Sequence, residues 1–349
     1  NVAEAQRTIR DLAAGNGDLA IARQGFEANV SAPAVRNAAD GIAEAYLAMA
    51  ATLRQQGSDA AQLMVRFALD LRSDFTAARI LLADIEDGQK RPAAALATLA
   101  EISVSDPLAP VVSLRRAALL DETGQSEDAT ALLDELAREY PDRPEPLAQQ
   151  GDMLRRKNRF AASVQAYTGA IQRLGVPTRA NWPLFYERGI ALERAGRWPE
   201  AEADLLTALQ LTPDQPNVLN YLAYSWTERG ENLDRARAML EKALAQRPND
   251  GAIVDSVGWL LLRQGDVDGG LKQLERAVEL QPEDAVINGH LGDALQAAGR
   301  LREAEFQWRR ALTMKPEEED ARRITAKLQS LSSAAAPTQA AVPPGSMPR

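Results

Sequence analysis

Small and hydrophobic residues recur along the chain at helical spacing, and the pattern repeats with a period close to 34 residues. Prolines end four successive segments, at Pro213, Pro248, Pro282 and Pro316. An alanine precedes each proline by five residues, and a glycine divides each segment, at Gly196, Gly230, Gly265 and Gly299. The pattern predicts tandem units of two helices joined by a glycine-containing turn.

The residue types at these positions have physical reasons. Two helices that cross closely need small residues where their backbones approach, as Gly258 and Ala277 would allow. A proline after the second helix stops that helix and sets the entry to the next unit. No unit can bury its apolar face alone, so stacking of units is expected to form the core.

Weaker versions of the unit extend toward the start of the chain and give a total of about nine. The pattern is faint over residues 1–108 and stronger over 109–316. A helix over 317–331, with Ala321, Ile324, Leu328 and Leu331 on one side, is expected to cap the last unit. Residues 332–349 are rich in Ala, Pro, Ser and Gln and are expected to be disordered.

The repeat resembles the tetratricopeptide repeat in spacing and residue type. Leu291-Gly292 fits the Leu-Gly pair of the family's first helix, and Ala304, Trp308 and Ala311 fit its second helix. The resemblance implies an all-α solenoid over residues 1–316, wound as a right-handed superhelix. It also implies that the first helices line a concave surface that binds proteins or peptides.

Composition narrows the chemistry that the chain can perform. A net charge of −9 argues against nucleic acid as a partner. The chain has no cysteine and one histidine, His290, so thiol catalysis and cysteine or multi-histidine metal sites are excluded. His290 is expected to be a partly exposed helix residue. We therefore predict no catalytic, cofactor or metal site, and no transmembrane segment.

Aligning the stronger units places eight residues near the predicted concave groove. They combine aromatic anchors with amide and charged groups, the composition of a peptide-binding surface. They are Tyr186, Glu193, Asn217, Asn220, Tyr224, Asp255, Trp259 and Arg263. The same aromatics could instead pack between helices, because helical spacing does not separate groove from core.

Two segments, residues 219–224 and 254–259, resemble paired units of bacterial cell-envelope repeat proteins. One such group comprises outer-membrane-associated adaptors that present substrates to a carboxyl-terminal processing protease. This resemblance implies a non-enzymatic adaptor, periplasmic or outer-membrane-associated, with a protease and its substrates as partners. Those adaptors are lipoproteins with an N-terminal cysteine, which this chain lacks, so an anchor upstream of Asn1 stays open.

Two other interpretations stay open at this stage. The chain could be a cytoplasmic scaffold for an assembly or transferase complex. It could also be the non-catalytic region of an enzyme whose catalytic domain was trimmed, since the sequence starts at Asn1 and not at Met. The sequence does not specify the partner, its affinity or the oligomeric state.

Overall fold

The structure, a computed structural model, describes residues 2–14, 17–31 and 33–335. Within those residues the chain forms nineteen α-helices and no strand. They are α1 Val2–Ala14, α2 Gly17–Ala28, α3 Ala38–Gln55, α4 Ala60–Leu71, α5 Thr76–Gly88, α6 Pro92–Ala100, α7 Ala109–Glu122, α8 Ser126–Glu139, α9 Glu145–Arg156, α10 Phe160–Gln172, α11 Trp182–Arg194, α12 Trp198–Leu211, α13 Pro216–Arg229, α14 Leu233–Gln246, α15 Gly251–Arg263, α16 Val267–Leu280, α17 Ala285–Ala297, α18 Leu301–Thr313 and α19 Glu318–Ala335.

Consecutive helices pair into hairpins, from α1 with α2 to α17 with α18. The described part of the chain contains nine of them, which confirms the predicted number. We call the odd-numbered member of each pair the first helix and the even-numbered member the second helix.

The hairpin of α15 and α16 shows why the small residues recur. A Cβ atom on Gly258 would lie 2.7 Å from Leu274 Cγ, so only glycine lets the two helices approach this closely. Ala277 is fully buried on the facing helix. Gly265, in the turn between them, has a φ of +88°, a left-handed conformation that glycine adopts without strain.

The chain forms two compact units, residues 1–211 and 212–349, which we call the N-terminal and C-terminal units. Within the C-terminal unit, a buried cluster joins α16, α17, α18 and α19. Its largest member is Trp308, which is fully buried and donates a hydrogen bond from Nε1 to Asp293 Oδ1 at 2.9 Å.

The capping helix α19 packs on the last hairpin as predicted. Ile324 is buried in the cluster described above, and Leu328 and Leu331 pack against it. The helix runs from Glu318 to Ala335, so it ends later than the predicted Leu331. Residues 336–349 of the predicted disordered tail lie outside the described residues.

The first hairpin departs from the expected stacking. Ile21 and Ala22 of α2 are buried against Val111 and Leu114 of α7, and α2 shares no extensive contact with α3 in the described chain. This hairpin therefore packs on a helix that is not its neighbour in sequence. Its apolar side is covered by a first helix that lies some 90 residues further along the chain.

Candidate functional site

The predicted groove residues of the C-terminal unit lie on equivalent positions of two adjacent first helices. Asn220 and Asp255 come three residues before the small residues Ala223 and Gly258, and Tyr224 and Trp259 follow directly after them. We call the side of each first helix that carries these positions its inner face. In each hairpin the small residue of the first helix points toward the second helix. The inner face lies on the opposite side of the first helix, away from the second helix.

Aromatic rings and charges from three first helices meet on the inner face. The Trp259 ring stacks on the His290 ring with centroids 4.1 Å apart, and the Tyr224 ring lies 6.0 Å from the same imidazole. Trp259 Nε1 donates a hydrogen bond to Glu228 Oε1 at 2.5 Å. Tyr224 and Trp259 thus converge on one histidine, as part of a single aromatic cluster.

His290 itself is buried, with 4% of its surface exposed, so the expectation of a partly exposed residue is wrong. Its Nδ1 lies 2.9 Å and 3.1 Å from the two carboxylate oxygens of Asp255. The spacing from Asp255 to His290 is 35 residues, one repeat, and this was the signal that sequence reasoning missed.

The Asp255 carboxylate controls the protonation of this histidine. Burial by itself lowers the pKa of His290, but the charge of Asp255 and its hydrogen bond raise the pKa above the usual 6.5. The charges of Asp293 and Glu228 act in the same direction. The folded protein therefore keeps His290 protonated to a higher pH than an ordinary histidine.

The six predicted groove residues of this unit differ in how accessible they are. Trp259 is 8% exposed and Asp255 is 4% exposed, so these two form the floor of the surface. Tyr224 and Asn220 are half-buried, and Asn217 and Arg263 are exposed. A binding partner would therefore meet Tyr224, Arg263 and the two asparagines first.

The polar groups at this surface are unequally satisfied. Asn217 Oδ1 accepts a hydrogen bond from Arg247 Nη1 at 2.8 Å, and Arg263 Nη1 lies 3.9 Å from Glu228 Oε1. Asn220 Oδ1 is buried and accepts no hydrogen bond from the described residues. An unpaired buried carbonyl oxygen is costly, and this oxygen is not accessible to a partner while the side chain keeps this orientation.

The capping helix borders the same surface. Lys327 Nζ contacts Asp293 Oδ2 at 2.6 Å, and Arg323 Nη1 lies 3.9 Å from Glu228 Oε2. Gly289 and the side chains of His290, Asp293 and these two cations line a small pocket between α17 and α19. Acidic groups of the first helices are thus partly neutralised by α19.

Tyr186 and Glu193 lie on α11, in the N-terminal unit. Both are half-buried, and the Tyr186 ring lies 5.8 Å from the Trp182 ring. Burial, with the nearby Glu187 charge, raises the pKa of Tyr186 to about 12. The predicted groove residues are therefore divided between the two compact units.

Tetratricopeptide repeat models match residues 112–143, 186–251, 228–285 and 261–328, which together make up half of the chain. The chain belongs to the tetratricopeptide repeat family. The matched repeats include the hairpins that carry Tyr186, Tyr224, Trp259 and His290. In this TPR protein, the residues of the aromatic cluster occupy the first helices of three successive repeats.

Known relatives and structures agree with this assignment. A TPR repeat-containing protein of Pseudomonas aeruginosa is 29% identical over 190 residues, which are 54% of this chain and 31% of the relative. The chain thus spans less than a third of that protein's length. A TPR protein from Parabacteroides merdae has a TM-score of 0.57 at 14% identity, over 73% of this chain and 97% of that one.

A structure of the human IFIT1 dimer with PPP-AAAA also resembles this TPR protein, with a TM-score of 0.54 at 19% identity. The match covers 91% of this chain and 78% of that one. At such identities the two structural likenesses concern the fold alone.

Residues 2–14, 17–31 and 33–335 contain neither a metal site nor a membrane-spanning helix. No group of three His, Cys, Asp or Glu side chains in these ranges is placed to hold a metal ion. None of the helices there combines the length and apolar character needed to cross a membrane.

Proposed function

We propose that this TPR protein is a non-enzymatic scaffold that binds protein or peptide segments on the inner face of its C-terminal unit. The observation that carries the proposal is the arrangement of Tyr224, Asn220 and Arg263 around the buried Trp259–His290 stack. The half-buried ring supplies apolar contact area. The exposed Arg263 guanidinium supplies donors for a peptide carbonyl or carboxylate, and the half-buried Asn220 amide adds a polar side chain beside the ring.

The proposed scaffold acts without chemistry of its own, as TPR repeats generally do. Asp255 and His290 are the only carboxylate–histidine pair in the described chain, and they are shielded beneath Trp259. The purified chain is expected to show no protease, hydrolase or transferase turnover, with or without divalent metal. Turnover that survives repurification and disappears in His290→Ala would overturn this part of the proposal.

Our more specific proposal is an adaptor in the bacterial envelope, periplasmic or outer-membrane-associated, that presents substrates to a carboxyl-terminal processing protease. It is supported by the envelope-type segments 219–224 and 254–259, which hold Asn220, Tyr224, Asp255 and Trp259. A scaffold in the cytoplasm, or the non-catalytic region of a longer enzyme, would use the same inner face with another partner.

Binding of an oligonucleotide such as PPP-AAAA is the second candidate, and local charge disfavours it. The inner face of the C-terminal unit presents Glu228, Asp255 and Asp293, and the cations of α19 are already engaged with two of these carboxylates. The cations named on this face therefore already lie beside carboxylates, and the face lacks the unpaired excess of Lys and Arg that phosphate binding draws on.

The proposal is tested by affinity capture from a bacterial envelope extract. Immobilised wild-type protein and the Arg309→Ala control should retain the same partner, because Arg309 lies exposed on a second helix. Tyr224→Ala and Arg263→Ala should lose it. The adaptor role is supported if wild type and Arg309→Ala retain a carboxyl-terminal processing protease and the two inner-face variants do not. Equal retention of a partner by all four proteins contradicts the proposed surface.

A further inference from the structure

The N-terminal unit has an inner face that already holds a helix. Helix α2 lies against α7, where Ile21 and Ala22 are each 1% exposed and pack with Val111 and Leu114. Phe26 is half-buried in the same cluster. The contact is close, because a Cβ atom on Gly25 would lie 2.9 Å from Pro107 Cα.

The position of α2 follows from the repeat register. Ala117 lies as many residues before the turn glycine Gly124 as Gly258 lies before Gly265, so Ala117 and Gly258 are equivalent positions. Leu114 on α7 precedes Ala117 by the same spacing by which Asp255 on α15 precedes Gly258, so Leu114 and Asp255 are also equivalent. Leu114 is therefore on the inner face. The next first helix takes part as well, since Gly17 at the start of α2 lies beside Glu145 of α9.

The unfilled part of the same face continues beyond α2. A groove with about 430 Å³ of open space is lined by Gly17 of α2, Leu114 and Ala118 of α7, and Ala148 and Asp152 of α9. In the repeat register, Ala118 on α7 and Asp152 on α9 occupy the position that Trp259 occupies on α15. In the N-terminal unit this groove thus combines apolar positions with the charged side chains of Arg115, Glu145, Asp152 and Arg156, and helix α2 is seated at one end.

The hairpin of α1 and α2 is only loosely joined to the unit that follows it in sequence. The buried cluster of α3, α4 and α5 consists of residues of those helices and of Phe75, directly before α5, and includes none from α1 or α2. Residues 33–38 of the connection are exposed. Arg36 ties the far end of the connection to Asp40, with Nε 2.7 Å from Oδ2, so a movement of the hairpin would begin upstream of Arg36.

We propose that the inner face of α7 and α9 is a helix-binding site, which the α1–α2 hairpin fills and which a partner's amphipathic helix takes over by displacing it. The site is separate from the surface around Tyr224, and it stands whether or not that surface binds protein. A seated helix shows directly what the face accepts, since binding of an amphipathic helix in a groove uses apolar anchors on one side.

The side chains of α2 define the chemistry of the partner. Its seated side carries Ile21, Ala22, Gly25 and Phe26, which is a large apolar residue, a small one, a glycine and an aromatic at i, i+1, i+4 and i+5. The glycine is required where the helix passes the backbone of Pro107. We expect a partner helix to carry the same order of residue types: a large apolar residue, a small residue, a glycine and an aromatic residue.

The test uses the full chain and a fluorescent peptide of residues 2–31 as the probe. Gly25→Ala adds a methyl group against the Pro107 backbone, and Ile21→Asp places a charge in the apolar seat, so both should free the inner face. Gly17→Ala is the matched control on the same helix, since its methyl group would lie 3.8 Å from Glu145 Cγ in ordinary contact.

A cysteine pair at Gly17 and Glu145 provides the locked state, because the chain has no cysteine of its own and a Cβ atom on Gly17 would lie 3.8 Å from Glu145 Cγ. We expect the probe to bind Gly25→Ala and Ile21→Asp at least about tenfold more tightly than it binds the oxidised, locked chain. Reduction of the disulfide should restore the wild-type level, and Gly17→Ala should match wild type. A probe carrying Gly25→Ala should bind none of them.

Three results would overturn the proposal. Failure of the probe to bind either freed variant, while both keep wild-type helicity by circular dichroism, would make the hairpin a fixed part of the core. Equal binding to locked and freed chains would place the probe elsewhere. An oxidised pair that forms dimers on a non-reducing gel would mean that hairpins are exchanged between copies of the chain.

Discussion

At the scale of single residues, the Asp255–His290 pair is the feature that most changes the view of the surface. The sequence pattern predicts Asp255 and Trp259 as groove residues and His290 as a partly exposed helix residue. In the structure all three form one buried stack, so the carboxylate is already committed to a partner within the chain. The residues left for binding are those around the stack.

Stability should depend on pH through His290. Its pKa is raised in the folded protein above the usual 6.5, so the pair contributes fully below about pH 6.5 and the contribution is lost as pH rises through the folded pKa. The difference in unfolding free energy between wild type and His290→Gln should therefore shrink from pH 6 upward. Denaturant unfolding at a series of pH values measures it, and a difference that grows with pH would contradict the pairing.

Truncation of the stacked indole should affect folding. Trp259 is 8% exposed, stacks on His290 and donates to Glu228, so Trp259→Ala should lower the free energy of unfolding by about 3–5 kcal/mol. Phe306→Ala is the control, because that ring is 63% exposed in the same unit and its loss should have little effect. Similar unfolding midpoints for the two variants would show that Trp259 is not part of the packed floor.

Part of this surface could be predicted from the sequence, and part of it could not. Repeat register alone placed Asn220, Tyr224, Asp255 and Trp259 on equivalent positions. It could not decide that Trp259 lies below the surface while Arg263 lies on it, because burial depends on the neighbouring helix. The histidine was missed because it was judged by its own helix, without the carboxylate one repeat earlier.

At the scale of helices, close crossings depend on single glycines. A Cβ atom on Gly292 of α17 would lie well inside van der Waals contact with the Trp308 ring. A Cβ atom on Gly289, one turn earlier on the same helix, would lie 3.6 Å from Ile324 Cδ1 in ordinary contact. The two glycines therefore have different roles although they share one helix.

Alanine at these two positions should have opposite effects. Gly292→Ala should destabilise the protein by about 1–3 kcal/mol through overpacking. Gly289→Ala should be neutral or stabilise it by about 0.5–1 kcal/mol, because alanine favours the helix. Thermal unfolding of both variants measures the difference, and equal losses would contradict the crossing geometry of α17 and α18.

The capping helix should contribute to stability through one buried side chain. Ile324 is 5% exposed within the last hydrophobic cluster, so Ile324→Ala should lower the free energy of unfolding by about 2–5 kcal/mol. Thr325→Ala, on the exposed side of the same helix, is the control. If both variants unfold at the wild-type midpoint, α19 does not cap the solenoid.

At the scale of the molecule, the number of hairpins could be predicted from the sequence. The helix against which each hairpin packs could not be predicted in every case. The period of 34 residues, with its prolines and glycines, reports local structure within each repeat, and nine hairpins followed from it. The packing of α2 against α7 is a contact between segments that are several repeats apart in the sequence. No local pattern distinguishes it from stacking on α3.

The same limit applies to the division into two compact units at residues 211 and 212. The repeat pattern is strong on both sides of that position, so sequence alone grouped 109–316 together. Tyr186 and Tyr224 were accordingly predicted as residues of one groove, and the structure assigns them to different compact units.

The most direct measurement is partner affinity and melting temperature on the same preparations of Tyr224→Ala and Arg263→Ala, with Arg309→Ala as the control. Both inner-face variants should weaken binding of the captured partner by about 1–3 kcal/mol while their melting temperatures stay close to that of the control. Unchanged affinity in the folded fraction of both variants would contradict a protein-binding surface on the inner face of the C-terminal unit.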